Sequence, residues 1–407
     1  MTYLNPQRIG VFLLKFVMSV ETTAKLFTPI QVGDVLLRHR VVQAPMTRLR
    51  VDPNTNVIFP IVKEYYAQRA STPGTLIISE GTVVAKKASA YLPPVVANLN
   101  SEKVYSGLAG GHAASPGIWS DAQIAAWREV TDAVHARGSF IYCQLFAMGR
   151  AATAPELADP NVDFDLVSAS AIPLPGEKIT PRALTVEEIQ EYVQLFVQAA
   201  KNAIDRAGFD GVEIHGANGY LLDAFLQDTA NQRTDVYGGS SENRARLLLE
   251  VVSATAVAIG ESKVGVRISP WSSFQGMLMA DPIPTFTHLV CALRNDFPRL
   301  AYLHIVEPRV EGALTVEASA HNAGHSNDFI RALWGGGMRR LISAGGYTRV
   351  SALERAEQGE IVAFGRPFLA NPDLPLRLQK DISLTKGDRS AYYVPTVEGY
   401  TTYPFAT

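Results

Sequence analysis

Cysteine is nearly absent: Cys143 and Cys291 are the only two in 407 residues. Both stand in apolar sequence and neither belongs to a CxxC pair, which excludes an iron–sulfur cluster or a thiolate-bound structural zinc. So few thiols fit a reducing, cytoplasmic setting. Charge of one sign is missing too. Lys and Arg number 37 against 39 Asp and Glu, a net charge of -2. No basic excess exists to neutralise phosphates, so nucleic acid is not an expected partner. No stretch reaches the roughly 20 apolar residues of a membrane span. Residues 9–14 and 16–18 are apolar, with Lys15 between them and Arg8 before, but the run is short and no clear small-residue cleavage site follows. Residues 1–23 therefore read as a disordered leader, with the working start near Met18. A GxGxxG after a strand is also lacking, so a dinucleotide would have no Rossmann site of its own.

What is present suits a soluble enzyme with a large core: 47% of residues are hydrophobic and 19% charged. Short β-branched runs alternate with longer amphipathic ones. Strands are expected at 41–46, 75–84, 140–145, 211–215, 264–269, 302–306, 340–344 and 361–364, each a near-continuous apolar run of the kind covered on both faces. Two helices carry full start and stop signals. Ser120 and Gln123 form a capping box, Ile124, Trp127, Val130 and Val134 a stripe, and Gly138 a terminator. Thr185 and Glu188 repeat the design, with Ile189, Tyr192, Phe196, Ala200 and Ala203 as stripe and Gly208 as stop. Eight β–α alternations predict an α/β fold, a single-domain TIM (β/α)8 barrel over 24–407. Residues 90–111, with Pro93, Pro94 and no periodicity, are long for a loop. They form either a lid or hairpin over the site, or sequence foreign to the mature protein, such as a translated intron.

The richest stretch is 211–226. A buried strand ends at His215, a turn with two glycines follows, and Asn218 and Tyr220 stand close behind. Two of these groups can donate to one oxygen and the third carries a transferable proton. That equipment polarises a carbonyl and protonates the carbon beside it. In a (β/α)8 barrel the site forms at the C-terminal strand ends. Those ends hold Pro45, Met46 and Thr47, then Glu80 and Gly81, Gln144, His215, Arg267, Gly345 and Gly346, and finally Gly365 and Arg366. Glycines after the last two strands suit a backbone phosphate cradle, to which Arg366 adds a charge. A phosphorylated cofactor across the barrel mouth is the expectation.

At this point the chain resembles the Old Yellow Enzyme family of flavin-dependent ene-reductases, over about residues 24–404. The matching motifs are Ala-Pro-Met-Thr-Arg (44–48), Ile-Ser-Glu-Gly-Thr (78–82), Gln-Leu-Phe-Ala-Met-Gly-Arg (144–150) and His-Gly-Ala-Asn-Gly-Tyr-Leu (215–221). Tyr-Gly-Gly-Ser-Ser-Glu-Asn-Arg (237–244), Val-Arg-Ile-Ser-Pro (266–270) and Phe-Gly-Arg-Pro-Phe (364–368) complete the set. The resemblance implies FMN and NADPH as cofactors and an α,β-unsaturated aldehyde or ketone as substrate. It implies that Pro45, Met46 and Gly81 lie against the flavin ring and that Thr47 bonds its carbonyl and tunes its potential. Gln144 would bond the pyrimidine side, Arg267 would stand at the electron-rich edge, and Gly345, Gly346, Gly365 and Arg366 would hold the phosphate. His215 and Asn218 would grip the substrate carbonyl and Tyr220 would protonate the α-carbon. Phe146 stands where family members often carry tryptophan, so pocket shape is expected to differ. The His-Gly-Ala-Asn-Gly-Tyr pattern is shared with relatives in fungal secondary metabolism, which points to a biosynthetic enal or enone.

Blander readings compete. His215 alone is as well explained by a backbone bond, Arg267 by pairing with a carboxylate inside the barrel, and Gly345-Gly346 by a plain turn. Arg244 and Arg246 read as ion-pair formers on a helix, and Tyr392, Tyr393, Tyr400 and Tyr403 as packing residues, one of them lining the pocket. A flavin dienoyl-CoA reductase would need cluster cysteines. A double-bond isomerase would use the same flavin without net reduction, and a flavin-binding redox protein would show no turnover. The protein is expected to be a monomer or homodimer.

Overall fold

The structure is a computed structural model that describes residues 23–89, 115–152, 165–312, 314–315, 324–394 and 396–406. The expected leader, apart from Thr23, and the whole of 90–111 lie outside the described residues. Eight strands form the barrel: β1 Val41–Gln43, β2 Leu76–Ile78, β3 Phe140–Phe146, β4 Gly211–Gly216, β5 Val264–Ile268, β6 Tyr302–Val306, β7 Leu341–Ala344 and β8 Ile361–Phe364. Each pairs in parallel with the next, and β8 pairs with β1 to close the ring. Between and after them run α1 Ile61–Arg69, α2 Asp121–His135, α3 Val186–Lys201, α4 Ser241–Ile259, α5 Ile283–Asp296, α6 Asp328–Trp334, α7 Arg349–Glu357 and α8 Leu374–Lys380. The expected (β/α)8 barrel is the fold. Among the described residues no helix is long and apolar enough to cross a membrane.

Both signed helices start at their capping boxes. The Gln123 N–H donates to Ser120 Oγ (3.3 Å) and Gln123 Oε1 accepts from the Ser120 N–H (3.1 Å). Thr185 and Glu188 do the same for α3. Gly138 and Gly208 leave in left-handed conformation, φ 70° and 76°, where a side chain would be strained. Strand ends differ from expectation by more than one residue in two places. β1 stops at Gln43, so 44–46 belong to the mouth. The run 75–84 is split into β2 and a short strand, Thr82–Val83, which pairs with the end of β3. The split falls where side chains take over backbone bonding: Ser79 Oγ and Thr82 Oγ1 both donate to the Glu80 carbonyl (2.9 and 3.0 Å), and the Glu80 N–H donates to Tyr66 (2.9 Å).

Inside the barrel, Tyr142 and Tyr302 fill the N-terminal end with ring centroids 5.6 Å apart. They fit because their neighbours are glycines: a Cβ on Gly211 would lie 2.3 Å from Tyr142, and one on Gly265 2.4 Å from Tyr302. One layer up, Glu213 is fully buried and accepts from Gln144 Nε2 and His304 Nδ1, both at 2.7 Å. The mouth lies above that layer. Outside, Trp127 on α2 is fully buried and donates to the Gly117 carbonyl (3.2 Å). Replacing Trp127 by alanine removes both the burial and that bond, and should lower stability by about 3–5 kcal/mol in equilibrium urea unfolding.

Candidate active site at the barrel mouth

One cavity of about 830 Å³ opens at the C-terminal ends of the strands, a size suited to a cofactor and a small substrate. Thirteen of the residues singled out in the sequence line it: Pro45, Met46, Thr47, Gly81, Gln144, His215, Asn218, Tyr220, Arg267, Gly345, Gly346, Gly365 and Arg366; Glu80, named with them, is buried beside Arg48 instead. The barrel converges them because each follows or ends a strand.

His215 ends the inward-facing row of β4. The Ala217 N–H donates to His215 Nδ1 (3.3 Å), so the neutral ring carries its proton on Nε2. Burial, Arg267 and His304 all hold the imidazole well below its ordinary pKa, so neutral is the form at physiological pH. The expected backbone bond of a structural histidine is therefore present, and it fixes the tautomer as a donor. Asn218 stands in left-handed backbone, φ 58°. Its N–H donates to Ser269 Oγ (2.8 Å) and its carbonyl accepts from Gln275 Nε2 (2.9 Å). Tyr220 packs edge-on to His215 and to Phe146, with centroids 5.1 and 5.0 Å away. Burial pushes its phenol pKa up, so the hydroxyl keeps its proton.

Phe146 also explains Gly81, where a Cβ would approach its ring to 3.1 Å. Gly345 and Gly346 have φ of 132° and 63°, and a Cβ on Gly345 would come within 3.0 Å of Glu307 Cβ. This is more than a plain turn. Its floor is a buried ion cluster in which Glu307 accepts from the Tyr347 hydroxyl (2.6 Å) and pairs with Arg331, which also bonds Glu360 (2.8 Å). Glu213 acts on Arg267 through charge, and the Arg267 Nε is buried without a partner. A buried unsatisfied donor at a cavity wall asks for a ligand.

Some expectations are corrected. Arg244 and Arg246 hold carbonyl oxygens instead of carboxylates: Arg244 bonds Leu226 and Gly239, and Arg246 bonds Val236 (2.7 Å). Tyr392 and Tyr393 both line the cavity, whereas one was expected, while Tyr400 stacks on Tyr65 at 4.3 Å. The reading from sequence missed Glu213, Asp223, Arg150 and Gln275. For Glu213 a signal existed, because a carboxylate two residues before His215 shares its strand face. Among the described residues no three His, Cys, Asp or Glu side chains are grouped to hold a metal. Burial pushes the Cys143 thiol up to about 12, which leaves it unreactive.

The chain is similar to known flavin oxidoreductases. The model of the NADH:flavin oxidoreductase / NADH oxidase family matches residues 25–102 and 94–385. A chanoclavine-I aldehyde reductase, fgaOx3, of Penicillium roqueforti is 47% identical over 94% of this chain and 96% of its own. An NADP-dependent oxidoreductase, lnbE, of Aspergillus flavus is also 47% identical, over 94% and 97%. A probable inactive reductase, easA, of Epichloe festucae var. lolii is 45% identical over 95% and 96%. The crystal structure of Old Yellow Enzyme from Pichia sp. AKU4542 superposes with a TM-score of 0.80 at 34% identity, covering 94% of each chain.

Asp223 generates a pH prediction. It is fully buried, and burial pushes its carboxyl up to about 7 against bonds from the Gly219 N–H (2.8 Å) and Gln227 (3.1 Å). Its folded pKa lies above the ordinary 3.8, so its contribution to stability is full below about pH 4 and is lost as pH rises through 7. Asp223→Asn should therefore narrow the difference in urea midpoint between pH 5 and pH 8. An unchanged difference would show that Asp223 does not titrate in this range.

Proposed function

The chain belongs to the NADH:flavin oxidoreductase / NADH oxidase family, as an enzyme of Old Yellow Enzyme type, and we propose that it is an FMN-dependent, NADPH-consuming ene-reductase of α,β-unsaturated aldehydes or ketones. The names of its fungal relatives favour an enal from secondary metabolism as substrate. One observation carries the reading. His215, with its proton fixed on Nε2, lines the same cavity as Asn218 and the protonated Tyr220, beside a buried Arg267 whose Nε lacks a partner.

The residues present fit FMN. Arg267 has a donor to spare, Gly81 leaves space under Phe146, and Gly345 with Gly346 opens a backbone cradle beside Gly365 and Arg366. Pro45, Met46 and Thr47 would meet the ring from β1 and Gln144 from β3. FMN supplies a hydride carrier between NADPH and the alkene. The protein's part is then defined. His215 Nε2–H and the Asn218 amide would donate to the substrate carbonyl, where negative charge grows as hydride reaches the β-carbon. Tyr220 would pass its hydroxyl proton to the α-carbon, so that hydride and proton together saturate the bond. An enolate carbon is basic enough to take a proton even from a phenol with a raised pKa. Tyr220 also favours net reduction over isomerisation, which needs no proton from the enzyme at the end.

We read residues 24–407 as one barrel, with 1–23 a leader and 90–111 an insertion. In support, the two family matches begin beyond the leader and overlap inside that insertion. A cytoplasmic monomer or homodimer is the companion reading. The deciding experiment is an absorbance spectrum of the purified protein under anaerobic conditions. A yellow flavin band should bleach with NADPH and return with 2-cyclohexenone, whereas a colourless folded protein would sink the cofactor assignment. Tyr220→Phe should leave bleaching intact and slow the return by roughly 10²–10⁴-fold.

A further inference from the structure

The Asn218–Tyr220 turn is held by a residue from another loop. Gln275 follows β5, stands at φ 60°, and contacts Asn218, itself at φ 58°. Left-handed backbone is costly outside glycine, and such outliers persist where their surroundings over-determine them. Here the surroundings are explicit. Gln275 Nε2 donates to the Asn218 carbonyl (2.9 Å), and its Cβ packs so close that a Cβ on Gly219 would come within 2.6 Å of it. The Gln275 carbonyl accepts in turn from Arg150 Nη2 (3.0 Å), a buried guanidinium that also ties down the carbonyls of Ile172 and Pro173. Ser269 and Asp223 take the N–H groups of Asn218 and Gly219 (both 2.8 Å). Gln275 supplies the bond to the carbonyl between them. Meanwhile Gln275 Oε1 is buried with no partner. The residue leaves its own acceptor unsatisfied while bonding the turn, the signature of a constraint kept for the site.

We propose that Gln275 is a positioning residue for the reaction: its side-chain amide locks the turn that presents Asn218 and Tyr220. This rests on the reading of Tyr220 as proton donor. The test uses the FMN-loaded protein and four variants: Gln275→Ala, Gln275→Met (which keeps the bulk against Gly219 but removes the amide), Tyr220→Phe, and Gln275→Met combined with Tyr220→Phe. Gln275→Ala and Gln275→Met should each slow reoxidation by 2-cyclohexenone about tenfold while reduction by NADPH stays within twofold. In the Tyr220→Phe background Gln275→Met should cost clearly less than tenfold, only the share that acts through Asn218, because residues acting as a unit are not additive. Without any turnover, hydrogen exchange in a peptide covering 217–221 should rise several-fold in Gln275→Met. Wild-type reoxidation in both single Gln275 variants, unchanged exchange, or the same tenfold loss on top of Tyr220→Phe would each overturn the proposal. Wild-type reoxidation in Tyr220→Phe would instead overturn the proton-donor reading, and this proposal with it.

Discussion

A fully buried carboxylate sits at the centre of the barrel, and much of the mouth is arranged around it. An ion buried this deeply costs several kcal/mol unless its lone pairs are used. Glu213 uses them on Gln144 and His304. Burial alone would raise its pKa, but His304, Arg267 and Gln144 outweigh burial and hold it below the ordinary value. His304 is lowered as well, chiefly by burial, so the pair is an ionised acid bonded to a neutral ring. Two consequences reach the cavity. The Gln144 amide has its nitrogen turned toward Glu213, which fixes how its oxygen is presented. Arg267 meanwhile keeps a counter-charge below it without spending all its donors.

A second constraint acts sideways. Arg48, Arg50 and Arg69 are almost fully buried, and they donate to carbonyls of the C-terminal segment: Tyr392 and Gly399 from Arg48, Tyr392, Ala391 and Thr396 from Arg50, Tyr400 from Arg69. Their cationic planes lie over Tyr65 and Tyr400, 3.7 Å away for Arg69 on Tyr65 and 4.3 Å for Arg50 on Tyr400. Glu80, pushed up to about 7 mainly by burial, accepts from the Arg48 N–H (3.1 Å). The same cluster thus fastens the residue after Thr47 and the segment that brings Tyr392 and Tyr393 to the cavity.

The fold was legible because strands covered on both faces announce themselves as apolar runs, and because Ser120, Thr185, Gly138 and Gly208 punctuate their helices in the usual chemical language. Strand ends were less so. The split at Ser79–Gly81 depends on side-chain bonds that no periodicity encodes. At the site, the residues that end strands were readable, since the barrel brings strand ends together whatever the loops do. Glu213 was passed over as part of an apolar run, although a charge there has no solvent to face. Arg150 and Gln275 were not readable. Each acts through carbonyl oxygens from distant loops, and nothing in residue type marks such a partner.

The C-terminal tie carries an implication for how the molecule is made. Arg48 and its bonded carbonyl at Tyr392 are 344 residues apart, and β8, which closes the ring onto β1, ends at Phe364. During synthesis the N-terminal part emerges first. Three arginines must therefore wait, with their charges unburied, until the segment 391–400 has left the ribosome. The wall that Tyr392 and Tyr393 complete forms after all eight barrel strands have emerged, so a ligand can be enclosed only once that segment has followed them.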